Sequence, residues 1–216
     1  PKTKIVLGGN YPPLCPDHAA TLAADLVVPG PNLEPLWQYL SLTPDMQQPG
    51  LWQAYPTLNV GALKLSDGCP FKCTYCSVPQ VYGRFKPRSL DRSLAELELL
   101  SRLGAKNIAF YDDALLFDAE HVLIPFLSQV IDRNIKVHFH CPNALNARFL
   151  SAHLAQLMVR AGFKTFYLGF ESASTAWQKQ TGSKVYSEEL ATAAANLTSA
   201  GAASQNITAY QILGHP

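Results

Sequence analysis

From residue 62 onward the chain repeats one unit: a short apolar run of strand length, a turn, then apolar residues at helical spacing. Strand-like runs stand at 62–65, 107–111, 136–140, 165–170 and 205–213, about 30 to 45 residues apart. Between them, Leu90, Leu94, Leu97 and Leu103 recur at helical intervals before Gly104, a C-cap residue. A second helix is expected from about 119 to 132, with Pro125 either bending it or marking a later start. A third runs from 151 to 161 and closes at Gly162, and a fourth starts at Ser187 with Glu188 and Glu189 in its first turn. Strands separated by helices of this length make right-handed βαβ units, and those build a parallel sheet. Five units are too few for a closed eight-fold barrel. The expected fold is therefore α/β, a partial parallel (β/α) barrel that stops after its fifth strand. In such folds the chemistry sits at the C-terminal strand ends.

The first strand runs straight into Cys69-Pro70-Phe71-Lys72-Cys73-Thr74-Tyr75-Cys76, a C-x3-C-x2-C cluster. A disulfide framework fits poorly, because the chain has 5 cysteines, an odd number, and Cys15 and Cys141 stand alone far away. A structural zinc site needs four ligands, commonly as two separated pairs, and the cluster contains no second pair and no histidine. Thiolate-only ligation suits iron–sulfur chemistry. A four-iron cubane on three thiolates keeps one iron open to a small molecule, which a pure electron carrier does not need.

C-x3-C-x2-C with the aromatic Tyr75 just before the third cysteine resembles the signature of the radical S-adenosylmethionine (SAM) enzymes. The resemblance runs from about Ala62 to the last residue and implies a [4Fe–4S] cluster on Cys69, Cys73 and Cys76. It implies that SAM chelates the open iron, and that one electron splits it to a 5′-deoxyadenosyl radical that abstracts hydrogen from a substrate. It implies a one-electron reductant such as flavodoxin or ferredoxin as partner. An iron–sulfur electron-transfer or cluster-binding module without SAM turnover is the alternative.

The other strand ends were read for SAM contacts on the same resemblance. The second gives Tyr111-Asp112-Asp113, with Asp112 as acceptor for the SAM ammonium, or as a cap for the next segment. The third gives "HFHCPNALNARFL", similar to a stretch common in cobalamin-linked members, with Asn143 as a contact. His138 and His140 share one strand face there, as core histidines more readily than ligands, and Cys141 as a fourth ligand would block the iron that SAM needs. The fourth strand end gives "AGFKTFYLGFESAS", in which Glu171 would accept from the ribose hydroxyls. Glu171 shares a strand side with Gly169 and Tyr167, and Leu168 and Phe170 share the other. The fifth, Leu213-Gly214-His215-Pro216, looks like the start of a Gly-Pro-Gly turn, with Gly214 beside the adenine.

Residues 1–43 read as strand, helix, strand, helix, with Asp17 as an N-cap, a short Rossmann-like βαβα remnant. Such a pair of units cannot cover its own sheet. It resembles the tail of the cobalamin-binding domain that precedes many radical SAM cores, which implies cobalamin in the full-length protein. His18 reads as a surface residue, since no Asp-x-His-x-x-Gly segment is present. Residues 44–61, rich in Pro and Gly, read as a linker whose Trp52 and Tyr55 pack onto a domain, and 62–216 as the catalytic core. With Pro1 in place of Met and an end inside a motif, the chain reads as an excised part of a longer protein. The 48% apolar and 15% charged composition supports a sizeable core, and a net charge of +1 gives no argument for nucleic acid or a membrane surface. No apolar run has transmembrane length, and reduced thiols as ligands point to the cytoplasm. The basic run Tyr82-Gly83-Arg84-Phe85-Lys86-Pro87-Arg88 reads as a solvated loop.

Overall fold

The computed structural model describes residues 3–45 and 48–214. The N-terminal unit contains β1 (Val6–Leu7), α1 (Tyr11–Leu14), α2 (Pro16–Thr21), β2 (Leu26–Val27) and α3 (Glu34–Leu40), with β1 and β2 paired in parallel. Asp17 lies inside the first turn of α2; the cap position belongs to Cys15, whose side chain makes no capping bond. The following connection is anchored rather than free. The Gly50 backbone N–H and the Trp52 indole N–H both donate to Glu96 Oε1, at 3.3 and 3.0 Å.

The rest of the chain continues with β3 (Val60–Leu63), β4 (Ser66–Asp67), α4 (Val78–Tyr82), β5 (Lys86–Pro87), α5 (Leu90–Arg102) and β6 (Asn107–Phe110). It then forms α6 (Leu123–Asp132), β7 (His138–His140), β8 (Leu145–Asn146), α7 (Ala152–Ala161) and β9 (Phe163–Glu171). The last elements are α8 (Thr175–Gln180), α9 (Ser187–Ser199) and β10 (Ile207–Gln211). The main sheet has the order β10-β9-β7-β6-β3, every pairing parallel, and short β8 adds to β9 beyond the end of β7. Neighbours in the sheet are neighbours in sequence, each joined through helix, so this is the partial (β/α) barrel expected. Among the described residues no strand pairs with the outer edge of β3 or of β10.

Local sequence explains the helix limits. Ser89 and Ser151 accept from the backbone N–H of Arg92 and Leu154, capping α5 and α7. Gly162 ends α7 at φ +105°, and a Cβ there would stand 2.6 Å from Val137 O. For α9, Glu189 reaches back to the Tyr186 N–H. The helix expected from 119 begins only at Leu123, because Asp118 takes φ +53° and Pro125 falls in the first turn, where it needs no N–H partner.

Alternation along the strands separates two faces. Gly61, Leu63, Ile108, Phe110, Phe139, Phe166 and Leu168 are buried on the helix side. The rings of Phe110, Phe126, Phe139, Phe163 and Phe166 pack there at centroid distances of 5.2 to 6.3 Å. Ala62, Lys64, Asn107, Ala109, Thr165, Tyr167 and Gly169 take the concave side. The smaller and more polar of these leave that side open. Its lower layer is held by His140, whose Nε2 lies 3.0 Å from Asn107 Oδ1 and whose Nδ1 lies 3.2 Å from Thr165 Oγ1. Burial, and His138 beside it, hold the His140 ring below its usual pKa. It is a satisfied core histidine, and His138 is exposed.

Candidate functional site

The cysteines occupy a lobe inserted after β3. Its root is the antiparallel pair β4–β5, which joins Ser66 to Pro87 and Asp67 to Lys86. Arg88 grips Asp67 through two bonds, Nε to Oδ2 at 2.9 Å and Nη2 to Oδ1 at 2.8 Å, and its backbone N–H donates to Leu65 O. The Arg88 guanidinium holds the Asp67 carboxyl below its usual range against the opposing effect of burial. Gly68 then turns the chain at φ +70°, so close to the turn between α4 and β5 that a Cβ would stand 2.5 Å from Arg84 O. This lets the Cys69 N–H donate to Gly83 O at 3.3 Å. Beneath the lobe, Phe117 packs edge-on to Phe71, Phe85 and Phe149 at 4.9 to 6.0 Å.

Cys69 is partly buried, Cys73 is 8% exposed and Cys76 is exposed, and all are free thiols. Burial pushes the Cys69 thiol up, and so do the sulfurs of Cys76 and Cys73. Among the described residues no three His, Cys, Asp or Glu side chains converge as ligands of a single ion. The donor set of the lobe, three thiols with no histidine among them, is of the kind iron–sulfur chemistry uses. Cys141 is 1% exposed in the core, and burial pushes its thiol well up.

Glu171 emerges at the end of β9 on the concave side, as its alternation with Leu168 and Phe170 requires. Its backbone is left-handed, φ +68°, beside a register shift in the β9–β10 pairing. A Cβ on Gly169 would meet Glu171 Oε1 at 3.3 Å and Lys184 Nζ at 3.3 Å, so the missing side chain makes the space both groups fill. Lys184 Nζ stands 3.5 Å from Glu171 Oε1. Burial, then Glu171, then Cys73 push the Tyr75 phenol up. Its ring stacks on Trp177 of α8 at 5.5 Å.

The other expected contacts lie elsewhere. Asp112 is 3% exposed and is used inside the fold: it accepts from the Leu65 and Ser66 N–H groups and from Ser66 Oγ at 2.6 to 3.1 Å. It therefore ties down the start of the lobe, and the carboxylate on the mouth side is Asp113, 3.8 Å from Lys64. The reason is strand parity: Asp112 shares the helix-facing side with Phe110. Asn143 donates to the Asp112 carbonyl at 3.2 Å. Gly214 is exposed at φ +73°, and His215 and Pro216 of the expected turn lie outside the described residues. Lys184 and Trp177 carry no motif, and only the fold brings them to the cysteines.

The sequence profile of the radical SAM superfamily matches residues 63–216. The chain belongs to this superfamily, and its core is an enzyme domain that works with the family's cofactors, a [4Fe–4S] cluster and SAM. It is 25% identical over 199 residues to bacteriochlorophyllide d C-12(1)-methyltransferase of Chlorobaculum tepidum, covering 78% of this chain and 42% of that one. It is 29% identical over 116 residues to the uncharacterized methyltransferase PH0819 of Pyrococcus horikoshii, covering 53% of this chain and 25% of that one. These matches thus span well under half of the curated relatives' length. Among solved structures, the cobalamin-dependent radical enzyme OxsB, with aqua-cobalamin and SAM bound, covers 96% of this chain and 36% of its own at TM-score 0.74 and 17% identity. TsrM from Kitasatospora setae, a radical SAM methyltransferase solved with tryptophan and aza-SAM, covers 76% at TM-score 0.65 and 17% identity. These two similarities are of fold.

Proposed function

We propose that Cys69, Cys73 and Cys76 hold the three protein-ligated irons of the [4Fe–4S] cluster, and that the mouth between the cysteine lobe and Glu171 receives SAM. A cluster held there would supply the one electron, itself received from an external reductant, that splits SAM into methionine and a 5′-deoxyadenosyl radical. The protein's task is to hold three thiolates apart at the right pitch, and the β4–β5 root and the Asp112 bonds do this. Glu171, on the same concave side, offers a carboxylate to the two ribose hydroxyls, while Tyr75 and Trp177 add flat surface beside it. Residues 1–43 are read as the tail of a cobalamin-binding domain, 44–61 as a linker and 62–216 as the catalytic core. The relatives named for methyl transfer favour transfer of a methyl group, to an acceptor still to be identified. A cytoplasmic one-electron donor of the flavodoxin or ferredoxin kind would supply the reducing equivalent. Among the described residues no helix is long and apolar enough to cross a membrane.

The observation that supports this reading is the three-cysteine lobe inserted after β3, its root braced by Arg88–Asp67 and by Asp112, with Glu171 at the end of β9 on the concave side. Anaerobic reconstitution tests it. Cys→Ala at any of the three positions is expected to abolish the brown chromophore and the bound iron and sulfide. SAM added to the reduced wild type is expected to change the cluster's EPR signal, and Glu171→Gln to weaken SAM by about 1.5–3 kcal/mol with the cluster intact. Wild-type iron content in the Cys→Ala variants, or an EPR signal indifferent to SAM, would overturn it.

A further inference from the structure

A cavity of about 470 Å³ lies at the opposite end of the sheet from the cysteines, among the loops that enter β6, β7 and β9. Its wall is apolar, built by Val130 and Ile131 of α6, by Ile135 and Val137 beyond it, and by Ala161 of α7. Its rim carries Lys106, Lys136 and Arg160 together with His138, and no acidic side chain lines it. Backbone bonds tie the three loops to one another: the His138 N–H donates to Lys106 O at 2.8 Å, and the Phe139 N–H to Gly162 O at 3.1 Å. The cavity is therefore preformed.

The three cations of the rim are unanswered. Arg88, Arg133 and Arg148 each stand against a carboxylate, Asp67, Glu98 and Glu189. Among the described residues no such ion pair forms at Lys106, Lys136 or Arg160. Positive charge has an ordinary use at this end of the sheet, because α6 and α7 end here and their last carbonyls carry partial negative charge. Those carbonyls are already taken by backbone. Gln129 O, Ile131 O and Val130 O accept from the N–H groups of Arg133, Asn134 and Ile135, and Val159 O accepts from Gly162. The rim cations are not spent as caps.

We propose that this cavity binds a small organic anion, a phosphate or carboxylate head on an apolar body. The head meets Lys106, Lys136 and Arg160, and the body lies along the wall of Val130, Ile131 and Val137. A neutral ligand would leave three charges unanswered, and a bare inorganic ion would leave the apolar wall uncovered. The volume falls in the range of small-molecule sites, about 300–1,000 Å³. The main strands are parallel, so this end of the sheet and the cysteine lobe after β3 lie on opposite sides. The site is thus separate from the mouth proposed for SAM, and it stands or falls without the cluster.

Isothermal titration calorimetry tests it, with octyl phosphate, inorganic phosphate and octanol as separate probes. Octyl phosphate is expected to bind once per chain, at least about tenfold tighter than either of the others. Lys106→Gln, Lys136→Gln and Arg160→Gln should each weaken it about threefold, as for an exposed ion pair, and the triple variant by at least about tenfold. Lys164→Gln is the control. Lys164 is an exposed cation at the start of β9 that does not line the cavity, and its loss should cost less than about twofold. Thermal melts of the same samples report folding, and if the triple variant does not fold the single variants decide. The absence of saturable binding up to about 1 mM octyl phosphate overturns the site. So does binding of octanol or of inorganic phosphate less than about tenfold weaker, which would remove the head or the wall from recognition. Lys164→Gln as damaging as the rim variants, or rim variants that bind like wild type, would place the anion elsewhere and refute the proposal.

Discussion

Gly68→Ala tests whether the cysteine lobe is held as tightly as its geometry implies. Two costs arise from the structure. An alanine at φ +70° enters the left-handed region, which costs about 1–2 kcal/mol. Its Cβ would also sit 2.5 Å from Arg84 O and 2.6 Å from Gly83 O, both backbone atoms of the turn between α4 and β5 that cannot rotate away. Relieving that contact means opening the β4–β5 root, at about 1–3 kcal/mol. The sum is about 2–5 kcal/mol, a large part of the 5–15 kcal/mol typical of a native protein. Gly201→Ala is the matched control: φ is +97°, yet nothing lies within 4 Å of the added Cβ. It should show the backbone cost alone, about 1–2 kcal/mol. Urea unfolding of the apo protein, followed by tryptophan fluorescence, gives both values, and thermal melts should separate the two variants by about 2–4 °C per kcal/mol. If Gly68→Ala is as stable as Gly201→Ala, the close approach of Gly68 to that turn is wrong, and with it the account of how Cys69 is placed.

Three further outcomes are expected. Burial pushes the Asp112 carboxyl from 3.8 up to about 6, against the bonds from Ser66 and Leu65, so the native state binds the proton more tightly than the unfolded chain. Its contribution is then full below pH 4 and lost as pH rises through 6, by about 3 kcal/mol at 1.36 kcal/mol per unit; urea midpoints from pH 4 to 7 should lose this slope in Asp112→Asn and refute it if the slopes match. Phe117→Ala removes the ring shared by Phe71, Phe85 and Phe149 and should cost about 3 kcal/mol, read by the same unfolding assay; a loss under about 1 kcal/mol would mean the lobe does not rest on it. Trp177→Ala should cost about 1 kcal/mol for the lost stack on Tyr75, and a double-mutant cycle with Tyr75→Ala should show coupling of that order; zero coupling would remove the stack.

What could be read in the sequence follows from which forces are local. The five barrel strands and the helices between them were legible because burial of one face imposes a period, and a period survives without knowledge of the partner. The cysteine spacing was legible for a similar reason: three donors in eight residues need no distant element to be seen. Strand parity placed Glu171 with Gly169, and the structure has them together. The same parity, applied to 107–112, would have put Asp112 with Phe110 on the buried side; the pair of acids at a strand end was read instead by analogy. The short pairs β4–β5 and β8–β9 left no periodic trace, being two residues long in each partner. Lys184 was invisible in the same way. Its position depends on two left-handed residues and on Arg148, which lies 35 residues upstream of the Ser183 carbonyl it holds.

The placement of these contacts has a consequence for how the site is built. The three cysteines are free thiols with no disulfide to tie the loop down, so its own sulfurs do not stabilise it. Every restraint on it therefore comes from outside the thiols. Arg88 and Asp112 fix its root through charged bonds, Phe117 supports it through apolar contact, and residues 181 and 182, between α8 and α9, meet its tip through backbone: Thr181 O accepts from the Thr74 N–H, and Gly182 lies against Cys73. Backbone contact at the tip is the economical choice, since it adds no side chain to the mouth where SAM is to lie. Gly182 meets that demand, because any side chain there would press on Cys73. The side chain of that connection that does enter the mouth is Lys184, and it enters paired with Glu171. The pairing leaves neither charge bare among half-buried surroundings, where an unpartnered ion is costly.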